Sequence, residues 1–219
     1  KQLMIEKKRF NMIEQQIRTW DVLDELILAT LKEMPRENYV AKEFQQLAFS
    51  DTEIPIGHEQ TMLQPKQEAR IVQSLALHKS DKVLHVGTGS GYVTALLAKL
   101  AANVHTIDVY PEFIEQAQLL HNRDKLHNVT YETGNGLLGS LEKAPFDVII
   151  FSGSVKKEPL GLREQLAING RLFFVEGDKP MMVAKIIKRT NEMQYETTNL
   201  FDCVIPSLKY DVAPSCFVF

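Results

Sequence analysis

The chain has 219 residues, 44% of them hydrophobic, with 25 basic and 28 acidic side chains and a formal net charge of −3. That is enough apolar material for one sizeable core, and the interspersed charges give no basic footprint for duplex DNA or RNA. Cys203 and Cys216 stand in apolar contexts without C-x-x-C spacing, which speaks against a disulfide or thiolate metal site, and no apolar run reaches the roughly 18 residues of a membrane span.

From Glu6 to Leu31, apolar residues recur at helical intervals (Phe10, Ile13, Ile17, then Val22, Leu26, Leu28), with a break at Thr19-Trp20-Asp21 where Asp21 is placed to cap a second helix. The segment's charges are too mixed at Lys1 to Arg9 for a signal peptide, so a cytoplasmic location is expected. Between Met34 and Leu77 the periodicity weakens. Ile54-Pro55-Ile56-Gly57 and Gln64-Pro65 impose extended or turn geometry before a helix over Glu68 to Leu77, a stretch suited to a substrate-side lid.

Strand and helix signals then alternate: strand 82–86, helix 92–100, strand 104–108, helix 112–124, strand 129–132, strand 146–151, helix 160–166 and strand 171–175. This alternation predicts an α/β fold, a Rossmann-like doubly wound, mostly parallel sheet of about seven strands with helices on both faces and an N-terminal helical extension. The tail reads as a helix from Met181 to Lys188, with Lys185, Lys188 and Arg189 on its solvated side, then strands over Met193 to Val204 and Ser215 to Phe219. One domain over 1–219 is expected: a helical extension (1–50), a substrate-side loop and helix (51–80), a cofactor-binding core (81–178) and C-terminal elements (179–219).

The densest signal is Val83-Leu84-His85-Val86-Gly87-Thr88-Gly89-Ser90-Gly91-Tyr92, an apolar strand breaking into alternate glycines and restarting as a helix. Glycine admits positive φ in the turn and lets backbone N–H groups approach a ligand. The spacing is G-x-G-x-G, not the G-x-G-x-x-G of dinucleotide folds, which disfavours a nicotinamide or flavin. Val104-His105-Thr106-Ile107-Asp108 reads as a second strand ending in a carboxylate placed for a ribose diol. Together these predict an adenosine-bearing ligand. The six histidines show no zinc spacing, and no G-x-S-x-G elbow is present, so neither a metal site nor a serine hydrolase is expected.

The glycine loop with Val83-Leu84, together with Ile54-Pro55-Ile56-Gly57, Gln60-Thr61 and Pro145-Phe146-Asp147-Val148-Ile149-Ile150, resembles the protein-L-isoaspartate O-methyltransferase family. Met12 to Arg18, Pro35-Arg36-Glu37, Gly134-x-Gly136 and Gly170-Arg171-Leu172 extend the likeness over residues 9 to 178. The resemblance implies a class I methyltransferase fold, S-adenosyl-L-methionine as donor, and methyl esterification of isoaspartyl carboxylates in damaged proteins, with no nucleic-acid or membrane partner and a monomer or weak homodimer. Carried over by position, it implies donor contacts from His85, Gly87, Thr88, Gly89, Ser90, Gly91, Tyr92, Asp108, Val109, Asn135, Gly136 and Gln64, with Asn135 at the adenine edge. Substrate-side roles fall to Gln60, Thr61 and Leu63.

Several positions depart from the family pattern. His85 and Asn135 stand where carboxylates are usual, and a neutral acceptor gives a weaker bond to an ammonium than a charged one. His85 either accepts from the donor or fills core space, and Asn135 either meets adenine or serves its turn. Leu63 replaces a serine, which removes a positioning contact and leaves isoaspartate specificity open. Ser152 and Ser154 are placed either to face substrate or to cap a helix. Two alternatives stay open: a methyltransferase of this fold with another acceptor, and a cofactor-binding homologue without catalysis.

Overall fold

The structure, a computed structural model, describes residues 2–210. Helix α1 (Gln2–Met12) passes through a π-helical turn (Ile13–Ile17) and a 3-10 turn (Arg18–Trp20). It stops at Asp21, which adopts a left-handed φ of 63°. The expected cap therefore moves: α2 (Glu25–Glu33) is capped by Asp24, whose carboxylate accepts from the Leu26 and Ile27 N–H groups at 2.8 and 3.1 Å. Strands β1 (Ile54–Gly57) and β2 (Gln60–Met62) form a short hairpin, and α3 (Pro65–Ser74) follows.

The core continues as β3 (Lys82–Val86), α4 (Tyr92–Leu100), β4 (Asn103–Asp108), α5 (Pro111–Arg123), β5 (Val129–Thr133), β6 (Phe146–Val155), β7 (Leu166–Asp178), β8 (Met181–Arg189) and β9 (Tyr195–Asp202). Seven strands form one sheet in the order β5-β4-β3-β6-β7-β8-β9. Pairing is parallel from β5 through β7 and antiparallel for β8 and β9. The order reverses beside β3, which has β4 on one side and β6 on the other, and such a switch point opens a crevice at the carboxyl ends of the strands.

Successive residues of the central strands sort into two apolar layers. Val83, Val148, Ile150 and Phe173 join the helices α1 to α4 on one face, while Leu84, Ile149, Leu172 and Phe174 fill the other. Burial on both sides is what continuous apolar runs in parallel strands require. On the second face the expected helix over 160–166 is reduced to a 3-10 turn at Arg163–Gln165, because Gly161 enters the left-handed region at φ 81° and interrupts the run.

Met181 to Lys188, expected as a helix, is strand. Its buried residues are Met182, Ala184 and Ile187, and a register shift between Ala184 and Lys185 against β9 changes their spacing from two to three. That irregularity mimics helical periodicity. The strand expected over Met193 to Val204 is present as β9, whereas the one expected over Ser215 to Phe219, with Cys216, lies outside the described residues. No helix among the described residues is long and apolar enough to cross a membrane.

Candidate active site

A crevice of about 540 Å³ opens at the switch point. Gly87, Gly89, Asp108, Val109, Gly134 and Gly136 form one wall, and Ser152 and Gly153 lie at the end of β6. Opposite them stand Ile56, Gln60, Thr61 and Leu63 from the hairpin, with Pro206, Ser207 and Leu208 from the segment after β9. That segment is tied to β6 by Ser154 N–H to Pro206 O and Leu208 N–H to Ser154 O, both 2.9 Å. It packs so tightly that a Cβ on Gly153 would stand 2.7 Å from Leu208 Cα.

The glycines of the loop divide their work. Gly87 and Gly89 line the crevice. Gly91 instead seats α4 against α5, since a Cβ there would meet Ala117 Cβ at 2.9 Å, and its carbonyl accepts from His121 Nε2 at 2.8 Å. Gly136 has the closest approach of the wall: a Cβ would fall 2.2 Å from Val86 Cγ1.

Asp108 ends β4 at 9% exposure. Its Oδ2 accepts from the Gly89 N–H at 2.9 Å and its Oδ1 from the Tyr110 N–H at 3.1 Å, so the carboxylate also braces the glycine loop. Burial pushes its pKa above the ordinary carboxylate value, opposed by these N–H groups. Tyr110 begins an aromatic rim: His58, at the hairpin tip, stacks on it with centroids 4.0 Å apart, and Phe113 meets both rings edge-on.

Other residues expected at the donor site lie elsewhere. His85 is fully buried beneath the loop, with Nδ1 2.9 Å from Thr94 Oγ1 and Nε2 2.5 Å from Ser152 Oγ. Burial, with a smaller contribution from His121, pushes its pKa down to about 3, so the ring is neutral. Thr88 turns inward to Thr106 Oγ1 at 2.6 Å, and Ser90 Oγ accepts from the Tyr92 N–H at 3.3 Å. The Tyr92 ring is buried 5.5 Å from Tyr39 and 5.8 Å from the Arg36 guanidinium. Gln64 precedes α3, its N–H donating to Gln67 Oε1 at 3.3 Å. The Asn135 side chain serves its own turn, accepting from the Leu137 N–H at 3.0 Å, and faces the neighbouring groove.

On the acceptor side, Gln60, Thr61 and Leu63 do line the crevice. Thr61 Oγ1 donates to Glu53 Oε2 at 3.3 Å. Leu63 is held by a pair that the sequence reading did not assign a role: Arg36 and Glu68, each 1% exposed. Arg36 donates through Nε to Glu68 Oε2 at 2.9 Å, through Nη2 to Leu63 O at 2.7 Å, and through Nη1 to Ala48 O. Two signals were available: Arg36 stands in the Pro35-Arg36-Glu37 motif, and Glu68 puts an acid on the buried face of an amphipathic helix, where an unpaired charge is untenable.

A cradle of glycine backbone beside a buried carboxylate fits a nucleoside with a methionyl arm: Gly87 and Gly89, both at positive φ, line the crevice, and Asp108 offers acceptors for hydroxyls. The profile of the family described as protein-L-isoaspartate(D-aspartate) O-methyltransferase matches residues 7–208. The chain belongs to the protein-L-isoaspartate O-methyltransferase family. A protein-L-isoaspartate O-methyltransferase of Syntrophotalea carbinolica is 34% identical over 192 residues, 88% of each chain. One of Klebsiella pneumoniae is 34% identical over 206 residues, 94% of this chain and 99% of its own. Among solved structures, a Plasmodium falciparum protein described as a member of this family, in complex with S-adenosyl-L-homocysteine, superposes with a TM-score of 0.79 at 22% identity, covering 94% of this chain and 98% of its own. That likeness shows the fold, and membership of the family rests on the sequence matches.

Proposed function

We propose that this protein transfers a methyl group from S-adenosyl-L-methionine to the carboxylate of L-isoaspartyl residues in damaged proteins, as the first step of their repair. The observation that carries this reading is family membership over residues 7–208 combined with a glycine-walled crevice that ends on Asp108. The cofactor, when bound, supplies an electrophilic sulfonium methyl; the C–S bond breaks as the C–O bond forms.

The protein's own part is positioning. An acceptor carboxylate of ordinary pKa near 4 is ionised at neutral pH, so no general base is needed. Alignment and exclusion of water are. Gly87 and Gly89 would hold the donor by close backbone approach, and Asp108 would accept from the ribose hydroxyls. Ile56, Leu63 and Leu208 present apolar walls to the reacting groups. Thr61 and Gln60 orient the acceptor. Arg36 and Glu68 fix the main chain at Leu63.

The expected cellular setting is cytoplasmic, with polypeptide substrates, neither nucleic acid nor membrane as partner, and a monomer or weak homodimer as the working form. Tritiated methyl transfer to an isoaspartyl peptide, against its aspartyl counterpart, tests the reading. Turnover of the first alone is expected. Leu63 favours a second reading, a different carboxylate acceptor, and binding of S-adenosyl-L-homocysteine without isoaspartyl turnover would select it.

A further inference from the structure

Resting on the donor reading above, one interaction in the crevice has no counterpart among the roles already given. The methionyl arm of the donor carries an ammonium, and among the described residues Asp108 is the only acid that lines the crevice. Asp108 takes one backbone N–H on each oxygen, and its remaining acceptor capacity is the part given above to the ribose hydroxyls. His85, at the position where the family pattern has an acid, is sealed beneath the loop and does not line the crevice. What does line it is the hydroxyl that His85 holds.

The geometry points to Ser152 as the acceptor for the donor's α-ammonium, with His85 as the positioning residue that orients the Ser152 hydroxyl. Two threonine oxygens face Nδ1: Thr94 Oγ1 at 2.9 Å and Thr106 Oγ1 at 3.4 Å. A ring N–H can be shared between two acceptors, whereas a single in-plane lone pair accepts well from one donor. In this assignment Nδ1 carries the proton, its N–H directed at the threonine oxygens, and Nε2 is left as the acceptor. Ser152 O–H donates to Nε2 at 2.5 Å, and both lone pairs of Ser152 Oγ are left for the crevice.

Place agrees with polarity. Ser152 Cβ lies 3.7 Å from where a Gly87 side chain would begin, and Leu208 Cδ1 lies 3.1 Å from the same point. Ser152 is thus set beside the first glycine of the loop and the segment that covers it. The full enclosure of His85 lets it act through a neutral hydroxyl and not through a charge. Its neutrality also spares the ammonium a buried cation nearby.

Calorimetric titration with two ligands separates this role from general support of the fold. S-adenosyl-L-homocysteine carries the ammonium; 5′-methylthioadenosine lacks the whole amino-acid arm. Ser152→Ala is expected to weaken S-adenosyl-L-homocysteine about tenfold, the scale of a lost bond to a charged group, while 5′-methylthioadenosine changes less than about twofold. Ser152→Thr restores the loss, and His85→Gln gives the same selective weakening with a smaller amplitude. Equal weakening of both ligands by Ser152→Ala, or no weakening of either, overturns the assignment. Failure of the unaltered protein to bind either ligand would overturn the donor reading itself, and this proposal with it.

Discussion

Arg36 and Glu68 meet at 2.9 Å with 1% of either side chain exposed, and the same guanidinium reaches the carbonyl of Leu63 in the crevice wall. Burial pushes the Glu68 carboxyl above its ordinary value while Arg36 pulls it down. Removing one partner leaves the other charge unpaired in the core, so Arg36→Ala or Glu68→Ala should lower stability by about 3–5 kcal/mol. Urea denaturation of both variants measures this. Where the fold persists, kcat should fall as well, because Leu63 loses its anchor.

Asp108→Asn should weaken S-adenosyl-L-homocysteine by about tenfold or more, since the amide loses the charge that strengthens bonds from ribose hydroxyls. The raised pKa of Asp108 adds a pH signature. Donor affinity is complete while the carboxylate is ionised and declines as pH falls through a value above the ordinary one. Titration calorimetry between pH 7 and pH 4 should show that decline in the parent protein and its loss in the variant.

Glu53→Gln should lower KM for an anionic acceptor with little change in donor affinity. Thr61 spends its proton on Glu53 Oε2, and the negative charge of Glu53 behind that hydroxyl opposes a second carboxylate brought to Thr61. An amide at 53 relieves the repulsion. Steady-state kinetics with an isoaspartyl peptide, at saturating donor, reads the change directly, and an unaltered or increased KM would contradict it.

His85 makes the fold acid-sensitive. Its folded pKa lies at about 3, below the roughly 6.5 of an unfolded chain. Its contribution is therefore complete above the unfolded value and is lost as pH falls, at up to about 1.4 kcal/mol per pH unit. His105 and His121 are shifted in the same direction by burial. Denaturation midpoints at pH 7 and pH 5 should diverge more in the parent protein than in His85→Gln.

Gly136→Ala places a methyl carbon 2.2 Å from Val86 Cγ1, so the main chain must move away from β3. Overpacking of this kind costs about 1–3 kcal/mol. The displaced turn should also weaken both S-adenosyl-L-homocysteine and 5′-methylthioadenosine, in contrast to the selective effect expected at Ser152. A variant that binds both ligands normally would contradict a role for this turn in donor binding.

Much of the donor half could be read from residues alone. The strand, glycine turn and helix from Val83 to Leu100 have strong local signals, and Asp108 falls at the strand end where its spacing put it. The family motifs led to the same region. Side-chain direction was less legible. Period-two geometry sends His85 to the opposite face from Leu84 and Val86, yet whether that face meets ligand or core depends on α4, whose Thr94 closes over the ring. Asn135 had two partners available, a ligand and its own backbone, and the local bond to Leu137 is the one present.

The acceptor half was least legible because it is assembled from distant pieces. Arg36, Glu53, Leu63 and Leu208 come from four separate stretches and converge through packing. At the C-terminal end, the register shift at Ala184/Lys185 made β8, the strand between β7 and β9, look helical. Gly161 stopped a helix that Leu160 to Leu166 otherwise suggested.

The segment from Ile205 to Leu208 crosses back from the far edge of the sheet to lie on β6 at Ser154. Proteolytic clipping just beyond Asp202 would therefore spare all seven strands while unroofing the chamber in which methyl transfer takes place. Such a clipped enzyme would keep its strands, yet its buried Cys203 and Ile205 would no longer be anchored by the chain and the reaction would be open to solvent. Intact secondary structure is accordingly a poor certificate of an intact catalyst in this protein.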